Sequence, residues 1–418
     1  RTRLQSGVLW GYSLPLIAPD RETVATLLKS KGYNTGCVGK WHLGLQWALK
    51  DPSIPLNDSS GLLWDNIDFT QPIRSGPLQV GFDDFYGISA SLDMHPHVYI
   101  KNDRVTSVPT RIIENSGGMK FYRKGPIGDD FRHIDVLDHL TDKAVGYIES
   151  QSDDKPFFLY FPLPAPHKPI IPSEDFQNQS GLNPWGDFVM QVDATVGRVQ
   201  KALDEKGFTD NTLFILTSDN GATPGADFEA LAAKGHRPSG QYRGNKADLF
   251  EGGHRVAFIA QWPAEVAPGS TCEATVCLTD LMATVAEIND ITLSDDEGED
   301  SFSLLPLLKE NPKAHTRVST VHHSIGGHFG IREGKWKLML CPGSGGWSSP
   351  RPKQARQERL PEIQLYDLAS DVGETQNVAK KYPEVVERMT QQLRDAIDQG
   401  RSTAGSKQLN DAAIQMRK

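Results

Sequence analysis

The sequence has 418 residues, enough, at roughly 150 residues per domain, for one large α/β domain and a smaller companion. Hydrophobic residues make up 38% and charged residues 23%, ordinary globular proportions that argue against a disordered chain. The net charge of −9 argues against a nucleic-acid partner, which a basic face would attract. It leaves room for a small anionic substrate if cations are concentrated in one pocket.

Asp20 can cap a first helix in which Val24, Leu27 and Leu28 recur at helical spacing before Gly32. A short apolar segment around Cys37 and Val38 follows, and then Gly39-Lys40-Trp41-His42-Leu43-Gly44. From about 45 to 130 the chain is rich in Pro, Gly, Asp and Ser with little periodicity, which predicts long surface loops. Leu137, Leu140, Ala144 and Ile148 mark the next amphipathic helix. Phe157 to Phe161 is an uninterrupted apolar run of the kind found in strands buried on both faces, and it runs into Pro164-Ala165-Pro166-His167-Lys168-Pro169. A helix carrying Phe188, Val192, Val196, Val199 and Leu203 on one face ends near Gly207. Leu213 to Leu216 is another buried strand, stopping at Ser218-Asp219-Asn220-Gly221, and Val256 to Trp262 is a third. Strands alternating with helices predict an α/β fold with a mainly parallel central sheet flanked by helices.

From about 315 the pattern changes to short strands, Phe329 to Ile331, Trp336 to Leu340 and Leu365 to Leu368. A last helix bears Val385, Val386, Met389, Leu393 and Ile397. This predicts two domains, 1–314 and a smaller C-terminal α+β subdomain over 315–418, with a loosely ordered polar tail after about 400. No stretch approaches the ~20 apolar residues of a membrane span. Four cysteines are too few for a disulfide framework. Cys272 and Cys277 can be bridged or buried, and burial is favoured because a free Cys packs as a small hydrophobe.

Three polar clusters directly follow strands, where open α/β sheets bind ligands. Singly, each has an unremarkable alternative. Lys40 and His42 flank Trp41 in what reads as a surface turn, and His167 could simply bond a backbone carbonyl. Asp219-Asn220-Gly221 is an ordinary turn sequence, although its two oxygen donors also suit Ca²⁺. Lys246 by itself reads as a solvated lysine.

In order and spacing, however, these segments resemble the formylglycine-dependent sulfatase family of the alkaline phosphatase superfamily, with its arylsulfatase-like members. The family's Gly-Lys-x-His motif, Pro-His-x-Pro loop, Ser-Asp-Asn-Gly metal turn and Lys-x-x-x-aromatic-Glu-Gly-Gly segment all have counterparts. The last is Lys246-Ala247-Asp248-Leu249-Phe250-Glu251-Gly252-Gly253. The resemblance extends to Leu365-Tyr366-Asp367-Leu368 followed by Glu374 and Asn377. Arg1 onward matches the end of the family's Cys (or Ser)-x-Pro-x-Arg motif. The resemblance therefore implies an N-terminally truncated chain whose formylglycine lies upstream of Arg1, and it implies that this polypeptide alone is inactive.

The resemblance further implies a sulfuric ester hydrolase acting on sulfated carbohydrates or aryl sulfates. It implies Asp219 and Asn220 as Ca²⁺ ligands, Lys40 and Lys246 on the sulfate oxygens, and His167 as the acid for the leaving alkoxide. His42 would hydrogen-bond the formylglycine and assist sulfate expulsion, and Arg1 would orient it. Subsite candidates are Asp93-Met94-His95-Pro96-His97, His322, His323 and His328, and Trp347 with Arg351. The implied location is the periplasm or the cell exterior, with the oligomeric state open. Two rival readings stand beside this one: a phosphoester hydrolase of the same superfamily, and a non-catalytic sulfoglycan-binding homologue.

Overall fold

The structure, a computed structural model, describes residues 11–58, 61–410 and 412–416. The chain divides into two compact units between Thr209 and Asp210.

In the first unit, helix α1 (Val24–Ser30) is capped by Thr23, not by Asp20. Thr23 Oγ1 accepts from Thr26 N at 3.1 Å while Thr23 N donates to Thr26 Oγ1 at 2.7 Å. The cap must adjoin the first helical residue, and Asp20 stands three residues short of that place. The buried strand β1 (Asn34–Lys40) is the sheet's axis. It pairs in parallel with β2 (Asp84–Ile88) on one side, with Gly36 opposite Asp84 and Lys40 opposite Ile88. On the other side it pairs in parallel with a later strand, Phe157–Tyr160. Two short strands, β3 (Ile100–Lys101) and β4 (Arg104–Val105), extend the β2 edge with antiparallel pairing. Strand β2 falls inside the stretch expected to be loop. Asp84 and Gly87 are poor strand formers and hide the alternation of Phe85 and Tyr86.

Helix α2 (Val136–Glu149) buries Leu137, Leu140, Ala144 and Ile148, the stripe its sequence predicts. Phe157–Tyr160 is β5. Phe158 packs into a cluster with Cys37, Trp41, Phe82 and Phe85, whereas Leu159 joins Val38, Ile88, Tyr99 and Leu140 in a second cluster. Both faces of the sheet are covered along β1, but β5 is not the fully buried strand its apolar run predicts. It lies at the end of the sheet among the described residues, its first three residues are half-buried and Tyr160 is exposed. Helix α3 (Pro184–Glu205) starts at Asn183, whose side-chain oxygen accepts from Trp185 N and Gly186 N. Its buried face holds Phe188, Val199 and Leu203 together with Gln191, Thr195 and Ala202, while Val192 and Val196 are only half-buried. Thr195 meets Thr141 of α2 at 3.2 Å, Oγ1 to Oγ1, which turns the face slightly from the purely apolar stripe.

In the second unit, β6 (Phe214–Thr217) leads into the Ser218–Gly221 turn and pairs antiparallel with β7 (Phe258–Gln261). Further on, β8 (Thr320–His323), β9 (Phe329–Glu333), β10 (Trp336–Met339) and β11 (Gln364–Asp367) form an antiparallel sheet in that order. Helix α4 (Pro383–Gln399) lays Val385, Met389 and Leu393 against Phe329, Ile331, Leu338 and Leu365. This is the α+β arrangement expected for 315–418, and it sits inside the second unit. The tail after 400 is tied down rather than loose. Arg401 Nη1 donates to Asp295 Oδ1 at 2.9 Å, and Ser402 Oγ donates to Asp300 Oδ1 at 2.8 Å.

All four cysteines are free thiols. Cys37 and Cys341 are buried, but Cys272 is exposed and Cys277 half-buried. The expected burial of that pair fails because both lie on irregular chain between β7 and the next helical turn. Among the described residues no helix is long and apolar enough to cross a membrane.

Candidate active site

In the first unit the functional candidates stand at the carboxyl ends of three adjacent parallel strands. The chain leaves β1 under tight backbone control: Lys40 N donates to Pro162 O at 2.8 Å, Trp41 N to Ile88 O at 3.0 Å and His42 N to Ser89 O at 3.1 Å. Trp41 is the anchor, buried in the core with its indole N–H on Gly44 O at 2.9 Å. Lys40 and His42 are left half-buried on either side of it, and His42 adopts φ +57°. A left-handed backbone at a histidine is uncommon and is held only where its surroundings enforce it.

His167 follows β5. Its Nδ1 lies 2.8 Å from Lys168 O, 3.2 Å from Ser91 Oγ and 3.8 Å from Asp93 Oδ1. A carbonyl oxygen can only accept, so Nδ1 carries a hydrogen. Asp93 also pairs with Arg123. Ser91 and Asp93 sit just past the end of β2, so this contact was invisible once that strand was read as loop.

In the second unit two segments are stitched together. Gly221 N donates to Gly253 O at 2.9 Å and Lys246 N to Ala222 O at 2.8 Å. The Asp219-Asn220 turn and the Lys246 segment are therefore neighbours across 25 residues of chain. Gly221 is needed here because a Cβ on it would stand 1.8 Å from Gly252 O. Gly221→Ala is accordingly expected to push the two segments apart and cost several kcal/mol, about 3 by the scale of overpacked sites, which urea denaturation would measure. A loss below about 0.5 kcal/mol would show that the segments separate freely.

Among the described residues the Lys246 ammonium, the Asp219 carboxylate and the Asn220 amide oxygen have no hydrogen-bond or ion-pair partner, while Asn220 Nδ2 donates to Gly221 O at 3.3 Å. Two oxygen donors of this kind fit a hard cation in chemistry. They make up only part of the six to eight that Ca²⁺ takes, and among the described residues no three His, Cys, Asp or Glu side chains gather as a ready cage. The site residues thus form two groups, Lys40, His42 and His167 in one unit and Asp219, Asn220 and Lys246 in the other. Arg1 lies outside the described residues.

Several subsite candidates turn out to be structural. His97 is 1% exposed, with Nε2 on Arg123 O at 2.8 Å, and burial pulls its pKa down to about 4. His95 stacks on Tyr12 with ring centres 5.0 Å apart, and burial lowers its pKa too. The His322 ring lies tilted against that of His254 with centres 3.8 Å apart, and burial keeps both well below the usual histidine range. His328 is 5% exposed. Trp347, by contrast, is 39% exposed.

The sulfatase family model matches residues 2–291. An N-acetylgalactosamine-6-O-sulfatase of Bacteroides thetaiotaomicron is 31% identical over 428 aligned residues, covering 93% of this chain and 79% of that protein. Human arylsulfatase A is 29% identical, covering 100% and 80%. A solved structure from work on glycosaminoglycan metabolism by Bacteroides thetaiotaomicron superposes with a TM-score of 0.79 at 29% identity, over 94% of this chain and 88% of that one. A sulfatase from Pseudoalteromonas sp., at 20% identity and a TM-score of 0.66 over 94% and 78%, is alike in fold. With a family match over more than half its length, the chain belongs to the sulfatase family.

Proposed function

We propose that this protein hydrolyses the sulfate esters of carbohydrates, amino-sugar 6-sulfates being the favoured class, and accepts aryl sulfates as artificial substrates. The substrate class leans on what the similar proteins are named for. The observation that carries the reading is the backbone pairing of the Lys246 segment with the Asp219-Asn220 turn, through Lys246 N to Ala222 O and Gly221 N to Gly253 O. A cation and a cation-binding turn in one rigid element suit an anionic ester whose charge must be stabilised during reaction.

A formylglycine hydrate would supply the attacking oxygen, and Ca²⁺ held by Asp219, Asn220 and further ligands would draw charge from the sulfuryl oxygens. Lys40 and Lys246 bind sulfate oxygens and offset the negative charge that spreads over them in the transition state. His167 hands the proton on Nε2 to the leaving oxygen, and the Nδ1–H bond to Lys168 O together with the Asp93 carboxylate stabilises its charged form. His42 hydrogen-bonds the nucleophile and takes up a proton as sulfate departs, while Arg1 orients the nucleophile. A place of action in the periplasm or outside the cell accords with a polymeric substrate.

The discriminating assay sets 4-nitrophenyl sulfate against 4-nitrophenyl phosphate with the full protein. We expect kcat/KM for the sulfate to exceed that for the phosphate by about 100-fold or more, equivalent to about 2.7 kcal/mol of transition-state preference. Chelation should abolish the sulfate activity and Ca²⁺ restore it. Preference for the phosphate would establish the phosphoester hydrolase, and turnover of neither ester would establish the binding homologue.

A further inference from the structure

The connection between β10 and β11 carries an exposed indole, and its backbone is held against the Lys246 segment. Residues 340–346 are buried, and then Trp347 emerges at 39% exposure, whereas Trp41 and Trp47 are 5% and 6% exposed. The loop is pinned by Asp248, itself 3% exposed. Asp248 Oδ1 accepts from Trp347 N at 2.7 Å and Ser348 N at 3.0 Å, while Oδ2 accepts from Asn245 N at 2.9 Å. One buried carboxylate thus binds the residue that precedes Lys246 and the residue that carries the indole.

Further bonds leave the loop no play. Leu249 N donates to Ser344 O at 2.9 Å, Gly346 N to Ser344 Oγ at 3.1 Å, and Ser344 Oγ to Ser348 O at 2.8 Å. Gly346 lies so close to the neighbouring segment that a Cβ would fall 2.2 Å from Ala247 O. Four residues on, the exposed Arg351 donates from Nε to Trp347 O at 2.9 Å. Its two terminal nitrogens make no other hydrogen bond or ion pair with the described residues.

We propose that Trp347 and Arg351 form a saccharide platform beside Lys246, the indole stacking on the C–H face of the sulfated sugar ring and the guanidinium binding a second anionic group on the adjoining unit. This rests on the sulfate-ester reading of Lys246 given above. An indole presents a wide apolar face to the axial C–H groups of a pyranose. Because the loop is already hydrogen-bonded to its neighbours, binding forfeits little conformational entropy. A guanidinium with its fork of N–H donors outward matches a carboxylate or a second sulfate in a bidentate manner. The substrate class this points to is a sulfated oligosaccharide with a further acidic group, such as a uronate, next to the sulfated amino sugar.

The test is calorimetric titration of the full protein with inorganic sulfate, N-acetylgalactosamine 6-sulfate, and a disaccharide joining that sugar to a uronate. For Trp347→Ala the affinity for both saccharides should fall about tenfold or more while that for inorganic sulfate holds, and Trp347→Phe should recover most of the loss. For Arg351→Ala only the uronate-containing disaccharide should bind more weakly. Unchanged saccharide affinity in Trp347→Ala, with wild-type binding intact, overturns the platform alone. An equal loss for inorganic sulfate also overturns it, because Trp347 would then act only through the fold of the Lys246 turn. A wild-type protein that binds none of the three ligands removes the sulfate-ester reading and the platform together.

Discussion

Replacing Lys337 by Met is expected to cost about 3–5 kcal/mol of stability, the range seen when one partner of a buried ion pair is removed. Lys337, Glu251 and Glu374 are all wholly buried at the side chain. The Lys337 ammonium donates to Glu251 Oε1 at 3.0 Å and lies 2.9 Å from Glu374 Oε1, an ion pair without hydrogen-bond angles. Arg332 Nη1 reaches Glu251 Oε2 at 3.0 Å, and Glu251 N donates to Glu374 Oε2 at 2.7 Å. Burial pushes the Glu251 carboxyl up, yet Lys337 and Arg332 outweigh it and hold the group below its ordinary value. Glu374 stays raised, because burial there exceeds what Lys337 returns.

With Met at 337, both carboxyls lose their main cation, so the folded-state pKa of Glu251 rises and that of Glu374, already raised, rises further. Folding then takes up protons, so the variant's deficit is fully present above the folded carboxyl range and shrinks as pH falls and both groups become neutral. Urea unfolding at neutral pH and near pH 4 gives the comparison. A deficit of less than about 1 kcal/mol at neutral pH, or one that grows on acidification, would refute the assignment of Lys337 as the cluster's necessary charge.

This cluster shows where reading the chain alone stops. The alternation Trp336-Lys337-Leu338 assigns a lysine to the solvent side by default, and its partner Glu251 stands 86 residues away. Strands β5 and β6 were legible only as apolar runs, and the burial expected of them is not found, their residues being half-buried or exposed. The helical stripe of α2 was legible because burial on a regular element leaves a period in the sequence. Strand β2 left none, since Asp84 and Gly87 interrupt it. With β2 went the knowledge that Ser91 and Asp93 lie at His167. The motif at Lys246 was legible as a string of residues, but its contact with the Asp219 turn depends on backbone bonds such as Lys246 N to Ala222 O, which no side-chain pattern records. The tail misled for a related reason: Arg401 and Ser402 look solvated, yet they find acidic partners at Asp295 and Asp300, about a hundred residues earlier.

Lys246→Ala in the full protein is expected to lower kcat for sulfate-ester hydrolysis by at least about 1,000-fold, equivalent to about 4 kcal/mol of transition-state stabilisation. Folding should be almost untouched. The ammonium has no partner to lose among the described residues, and the segment is held by its backbone and by Asp248 and Glu251. Lys40→Ala should behave alike in kcat, since the charge that builds on the sulfuryl oxygens falls on both lysines in the proposed roles. The pair of variants also separates ground-state from transition-state binding. A lysine that served only to hold the substrate would raise KM and spare kcat, whereas one matched to the developing charge lowers kcat with KM little changed. Steady-state kinetics on 4-nitrophenyl sulfate, with urea midpoints to verify folding, decides it. Near-normal kcat in Lys246→Ala would remove this residue from the reacting centre and with it the reading of the Lys246–Gly253 segment as part of the sulfate site.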